Sequence, residues 1–264
     1  STGSGGSMMA SEGLEITMEE MTALEMILAT LAESVYEGRT GNDLERYAEL
    51  LMQLYKVEPA FKGYQPKGFN EPYPNILCVS INGEVIHGIP DARPFEDGDV
   101  VKIDCGIKDA EGQYDDGATT VLIGRGSASA RRLIKATHEA LDAGVAAAKP
   151  GATTNDIAAA IEAVAKQYEI TVIHGYGGHG IGTELHMEPF IPNEVTYHTE
   201  KREGNSGTFL LPDIPPVELT KGMRIAIEPM FSTNRGETFI DMNGWTIKIK
   251  GGGIAAHFEK TVTI

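Results

Sequence analysis

The feature that most limits what this chain can fold into is a pattern that occurs twice. Asn42-Asp43-Leu44 opens a helix that runs on to Gly63-Tyr64, and Asn155-Asp156-Ile157 opens another that runs on to Gly175-Tyr176. Each is preceded by a long helix and followed by strands. Two amphipathic helices can look alike by chance. The alternative is a duplicated α/β half, two copies packed about a pseudo-twofold axis with a site between them. On that reading a single domain spans 14–264, with halves of about 14–124 and 127–264.

The remaining elements follow from periodicity and caps. Thr17-Met18-Glu19-Glu20 has the form of a capping box, and Leu24, Ile27, Leu28, Leu31 and Val35 recur behind it at helical spacing. The second helix carries Leu44, Tyr47, Leu51 and Leu54. A third runs from Ser127 to about Ala148. Strand-like runs are Cys78-Val79-Ser80-Ile81, Val100 to Cys105, Thr119 to Ile123, Thr171 to His174, Met223 to Glu228, Trp245 to Ile249 and His257 to Val262. Tyr197 to Gly222 reads as a long polar loop.

At 264 residues, one large core is favoured over two small ones. Ser1-Thr2-Gly3-Ser4-Gly5-Gly6-Ser7 reads as a cloning remnant, with the native start at Met8 or Met9. No run approaches the roughly 18 apolar residues of a membrane helix, and no signal peptide follows Met8, so a cytoplasmic protein without a membrane partner is expected. With 38 acidic against 22 basic residues the formal charge is -16. Such a surface repels phosphate backbones, and no direct nucleic-acid binding is expected. Two cysteines, Cys78 and Cys105, imply no disulfide framework.

Some of the acids stand in apolar surroundings. Asp104 lies in Val101-Lys102-Ile103-Asp104, Asp116 in Tyr114-Asp115-Asp116-Gly117-Ala118, Glu228 in Ile225-Ala226-Ile227-Glu228-Pro229 and Glu259 in His257-Phe258-Glu259. His179 lies in Gly177-Gly178-His179-Gly180. Singly, each has an ordinary reading as a turn, cap or packed residue. Together and buried, they would have to take up protons or be neutralised by cations. Oxygen-rich sites with one imidazole suit Mn, Fe, Co or Zn, and a carboxylate-bridged pair of divalent ions would resolve the conflict.

Loop length decides which of the two adjacent aspartates joins Asp104. Asp109-Ala110-Glu111-Gly112-Gln113 suits a three-residue hairpin loop, Ala110 to Gly112, with Gly112 in the left-handed position. Asp109 and Gln113 then flank it, and paired numbers keep an even sum. Side chains alternate along a strand, so Asp116 shares the face of Asp104 and Asp115 turns away.

From Thr17 to Ile264 these motifs resemble the pita-bread metallopeptidases, and most of all the type I methionine aminopeptidases. Val85-Ile86-His87-Gly88-Ile89-Pro90-Asp91 is similar to the stretch bearing a catalytic histidine. Gly178-His179-Gly180-Ile181-Gly182, followed by His186-Met187-Glu188-Pro189, is similar to the segment with a metal histidine and a second catalytic one. Ile227-Glu228-Pro229-Met230 and Phe258-Glu259-Lys260-Thr261 resemble its two glutamate motifs. Aminopeptidases are among the enzymes known to use a metal pair, so the pairing alone says nothing new about class.

The resemblance implies a mixed α/β (α+β) fold of duplicated halves with a curved antiparallel sheet. It implies two divalent metals (Co, Mn, Fe or Zn) on Asp104, Asp116, His179, Glu228 and Glu259, with Asp116 and Glu259 bridging. A metal-activated hydroxide would attack the carbonyl of the first residue, and Glu228 would handle its proton. His186 would stabilise the oxyanion and His87 would contact the scissile amide. The methionine pocket would include Phe61, Tyr64, Tyr73, Cys78, Leu185 and Trp245. The implied substrates are peptides and nascent chains with N-terminal methionine, cut by a monomer. Four departures stand out: Gly106 where threonine is common and a glycine looks more like the proline-specific relatives, His257 where glutamine is common, and two loops, between Tyr64 and Tyr73 and after Tyr197, that are longer than in the compact bacterial form. The alternatives are an Xaa-Pro peptidase of the same fold, whose Arg-x-Glu is absent here, and a non-catalytic binding module, which would be expected to lose ligands.

Overall fold

The computed structural model describes residues 21–195 and 215–264. Its first part contains α1 (Ala23–Glu33), α2 (Gly41–Tyr55), β1 (Glu58–Pro59), β2 (Cys78–Ile81), β3 (Glu84–Ile86), β4 (Val100–Lys108) and β5 (Tyr114–Leu122). Then come α3 (Ala128–Ala147), α4 (Thr154–Tyr168), β6 (Thr171–Val172), β7 (Gly177–Gly180) and β8 (Met187–Pro192). The last strands are β9 (Arg224–Ile227), β10 (Met230–Ser232), β11 (Thr238–Ile240), β12 (Ile247–Ile249), β13 (Ala255–His257) and β14 (Glu259–Thr263). The central antiparallel sheet runs β1-β4-β5-β14-β9-β7-β8, with β2 also paired to β4. Two three-stranded sheets, β13-β10-β6 and β11-β12-β3, flank it.

The helices cover one face of the central sheet. Val101, Ile103, Cys105 and Ile107 of β4 pack with Leu24, Ile27, Leu31, Leu44 and Met52 of α1 and α2. Ile225 and Ile227 of β9 pack with Leu133, Ala140, Ile157 and Ile161 of α3 and α4. Side chains alternate along a strand, so the even-numbered residues of β4 and β9 face the other side, away from the helices. Burial on the order of 1.5–3 kcal/mol per large apolar side chain holds the helix layer in place.

Local structure is matched between the two helix pairs. Thr40 with Asp43 and Thr153 with Asp156 form reciprocal capping boxes at the starts of α2 and α4, each contributing about 1 kcal/mol. Both helices end on a left-handed residue, Lys56 and Glu169. The chain entering α2 exchanges backbone hydrogen bonds with Phe95, as the chain entering α4 does with Leu219. Gly98 donates to the Ile123 carbonyl at 2.8 Å, and Gly222 to that of Ile264 at the same distance.

Several boundaries differ from the sequence expectation. The cap of α1 is Thr22, whose side chain accepts from Glu25 N–H while Glu25 accepts from Thr22 N–H; Thr17 lies outside the described residues. Helix α2 starts at Gly41, ahead of Asn42, and it and α4 stop at Tyr55 and Tyr168. The left-handed Lys56 and Glu169 turn the chain there, so neither helix reaches the glycine-tyrosine pairs. The run from His257 to Val262 is two strands. Phe258 breaks it, donating to the Pro229 carbonyl, and the chain leaves the β10 sheet for the β5 and β9 sheet at Glu259. Trp245 precedes its strand and sits in a turn held by Asn243. Most of the expected loop from Tyr197 to Gly222 falls outside the described residues; Glu218 forms a bridge with Thr153.

Candidate active site

Five neighbouring strands of the central sheet each carry or deliver one candidate ligand. Asp104 lies on β4, Asp116 on β5, Glu259 opens β14, Glu228 follows β9, and His179 lies on β7. Asp104 pairs with Ala118, which pairs with Glu259; Thr261 pairs with Ala226, which pairs with His179. Cross-strand partners share a face and side chains alternate, so all five groups converge on the side away from the helices.

The hairpin fixes the register of the first two. Gly112 is left-handed with φ 82° and donates to the Asp109 carbonyl, as a three-residue loop demands. The strands pair Gly106 with Asp116 and Ile107 with Asp115. Asp116 therefore shares the Asp104 face. Asp115 points the other way and pairs with Arg224.

Other residues anchor this arrangement. Thr261 Oγ1 accepts from Asp116 N–H and donates to the Asp116 carbonyl. Asn193 Nδ2 donates to the Glu228 carbonyl at 2.9 Å. Neither Thr261 nor Asn193 carries a sequence signal for this, since each acts across strands distant in the chain. His257 is buried, with Nε2 3.4 Å from Glu228 Oε2 and 3.9 Å from Glu259 Oε2. Its imidazole occupies a place beside the carboxylates that sequence marks only as a departure.

The electrostatics are those of crowded acids without a basic partner. Among the described residues, only His179 and His257 bring a potentially cationic nitrogen within 4 Å of Asp116, Glu228 or Glu259. Burial pushes Asp104 and Glu228 up to about 7. Burial, then the neighbouring acids, holds Asp116 and Glu259 well above the ordinary carboxylate range. Asp104 Oδ1 and Glu259 Oε1 are buried without a hydrogen-bond partner. Ligand atoms lie within 4.8 Å of one another in three overlapping groups: Asp116, His179 and His186; His179, Glu228 and Glu259; Asp104, Asp116 and Glu259. Groups that combine carboxylates with up to two imidazoles and leave carboxylate oxygens orphaned fit divalent cations.

An apolar cluster adjoins this floor. Phe61, Tyr73, Cys78, Leu185 and Trp245 are buried together, with Tyr64 packed against them. Tyr73 stands edge-on to Trp245 at 5.1 Å, and its hydroxyl lies 2.9 Å from the carbonyls of Leu77 and Gly88. Phe69, from the longer loop before Tyr73, stacks on Trp245 at 4.2 Å. That member is absent from the sequence expectation because nothing local marks which ring of a loop turns inward. Gly106 has its own explanation: a Cβ there would lie 2.5 Å from Phe61 Cε1. The bare backbone makes room for the pocket ring.

Two further histidines flank the floor. His87 has its ring 6.1 Å from that of Trp245, and burial lowers its pKa to about 4. His186 has a solvent-open edge, with its ring 4.3 Å from His179 and Nδ1 2.7 Å from Tyr64 Oη. Desolvation by the surrounding walls, then His179 and His87, lowers it to about 3. Both are neutral imidazoles at physiological pH.

The model of metallopeptidase family M24 matches residues 18–264. The chain belongs to this family. It is 42% identical over 239 residues to the methionine aminopeptidase of Aquifex aeolicus, covering 90% of this chain and 87% of that one. The crystal structure of methionine aminopeptidase from Thermotoga maritima superposes with a TM-score of 0.80 at 33% identity, over 92% of this chain and 88% of that one. The prolidase of Pyrococcus furiosus, 22% identical with a TM-score of 0.62, covers 92% of this chain and 58% of its own; it shares the fold. As an M24 member the chain is a hydrolytic enzyme of the metallopeptidase kind with the pita-bread fold expected from its motifs.

Proposed function

We propose that this M24 enzyme removes N-terminal methionine from peptides and nascent proteins, using two divalent metal ions held by Asp104, Asp116, His179, Glu228 and Glu259. The observation that carries the reading is the convergence of these five groups from five adjacent strands beside the buried apolar cluster that holds Phe61, Tyr73, Cys78, Leu185 and Trp245. Asp116, His179 and Glu259 each belong to two of the overlapping ligand groups, which supports reading the five residues as one metal-holding site. Relatives named methionine aminopeptidase supply the substrate. A divalent pair so held supplies Lewis acidity, lowering the pKa of water and polarising a carbonyl.

The chain's own residues do the rest. Glu228 takes the proton of the attacking water. His186 offers Nε2 to the oxygen that gains charge, and His87 contacts the scissile amide on the leaving side. Soft, aromatic walls receive the thioether of methionine, for which sulfur–ring contacts are favourable. The test is release of methionine from Met-Ala-Ser, abolished by a chelator and restored by Co, Mn, Fe or Zn. Faster hydrolysis of Ala-Pro peptides would move the enzyme to the Xaa-Pro class, and full activity in metal-free protein would remove the mechanism.

The matched caps and turns support one domain made of two duplicated halves. The charge of -16 supports an enzyme without direct nucleic-acid contact. No helix among the described residues is long and apolar enough to cross a membrane. The monomeric state and the cytoplasmic location expected from the sequence are part of the same proposal.

A further inference from the structure

We propose that Tyr64 is a positioning residue whose hydroxyl fixes which ring nitrogen of His186 carries the proton. This rests on the reading of His186 as the group that meets the developing oxyanion. Tyr64 Oη lies 2.7 Å from His186 Nδ1, and the two ring centroids are 5.1 Å apart at 42°. His179 borders the same imidazole at 4.3 Å. The ring is thus held between two others, and Tyr64 bonds to the nitrogen left over once Nε2 serves the cleft.

The tyrosine arrives from a fixed backbone. Tyr64 N–H donates to the Phe61 carbonyl, Tyr73 N–H donates to the Tyr64 carbonyl at 2.8 Å, and Gly63 N–H donates to the Tyr73 carbonyl at 2.9 Å. Tyr73 and Phe61 are themselves buried in the same apolar cluster. On the other side Leu185, buried beside Phe61, fixes the chain just before His186. Two separately anchored segments therefore meet at this one hydrogen bond.

A neutral imidazole has one donor nitrogen and one acceptor nitrogen. A phenol keeps its proton at neutral pH, and Tyr64 Oη has no other hydrogen-bond partner among the described residues. Its O–H donates to Nδ1, which leaves the ring proton on Nε2. That tautomer can donate to an oxyanion, whereas the opposite one would present a lone pair and repel it.

Tyr64→Phe removes the hydroxyl and keeps the ring. Nitrogen-15 NMR of zinc-loaded protein should show His186 as the Nε2–H tautomer in the wild type and as a mixture in Tyr64→Phe. Turnover of Met-Ala-Ser should fall roughly 10- to 100-fold, as for loss of an orienting partner, with KM and bound metal little changed. Wild-type spectra with the proton on Nδ1, or identical spectra in the two proteins, would overturn the proposal. So would a change in KM alone, which would leave Tyr64 a mere pocket wall. The spectra need no turnover. A protein that releases no methionine therefore defeats the functional reading while leaving the tautomer result to stand or fall by itself.

Discussion

Two buried acidic regions of this molecule differ in what the fold gives them. Asp99 is 5% exposed, yet Arg93 Nη1 at 2.8 Å, Asn82 Nδ2 at 2.8 Å and Glu96 N–H at 2.9 Å all donate to it. Burial would raise its pKa, but Arg93, Glu96 N–H and Asn82 together outweigh that and lower it. Asp104 and Glu259 are about as buried, at 8% and 6%, and each has a carboxylate oxygen with no partner. One region is complete in the protein alone. The other is complete only with cations from outside, and such incompleteness in a native fold marks a site.

The largest effects should come from the incomplete region. Asp116→Asn should lose bound metal and essentially all peptidase activity, whereas Asp115→Asn, one residue away in sequence but on the opposite face, should be nearly silent in both. Metal analysis and initial rates on the two variants decide it; the reverse pattern would mean the hairpin register is wrong. His179→Ala should likewise lose metal. His186→Ala should retain it while turnover falls by about 100-fold or more, as for loss of an oxyanion donor.

A smaller effect separates the regions by stability. In chelator-treated protein, Asp104→Asn should be more stable than wild type at pH 8. The folded-state pKa near 7 lies above the unfolded value of about 3.9. Wild-type stability from this group is therefore full below about pH 4 and lost as pH rises through 7. Denaturant melts at the two pH values should show the gain at pH 8 and none near pH 4. A loss at pH 8 would mean that Asp104 has a partner inside the protein.

Asp99 should behave in the opposite sense. Asp99→Asn should cost about 1–3 kcal/mol, as for a charge-assisted network losing its centre, with metal content unchanged. The lowered folded-state pKa means this stabilisation is present above the unfolded value of about 3.9 and lost as pH falls through the folded one. A variant that matched wild type at pH 7 would show the network to be stability-neutral and weaken the contrast between the two regions.

Short-range features of the chain were legible because they are governed by local geometry. The Asp109–Gln113 loop sets the whole β4–β5 register, whereas the capping boxes of Thr40 with Asp43 and Thr153 with Asp156 act within one turn yet were not singled out in the sequence. Once a three-residue loop with a left-handed Gly112 is accepted, alternation alone places Asp116 beside Asp104 and turns Asp115 toward Arg224. The cap of α1 at Thr22 was not singled out by the sequence, because Thr17 and Thr22 are each followed by an acid three residues later.

The sequence by itself thus determined the residue types of the site, the presence of the paired helices and which of two adjacent aspartates faces inward. These depend on a cap, a turn or a strand period, all spanning a few residues. Only the tertiary structure decided that Phe258 breaks the last strand, that Phe69 rather than another loop ring covers Trp245, that Gly106 yields space to Phe61, and that Tyr64 meets His186. Each of those joins segments far apart in the chain. Their contact follows from how the strands pair and the loops pack, and no local pattern carries that information.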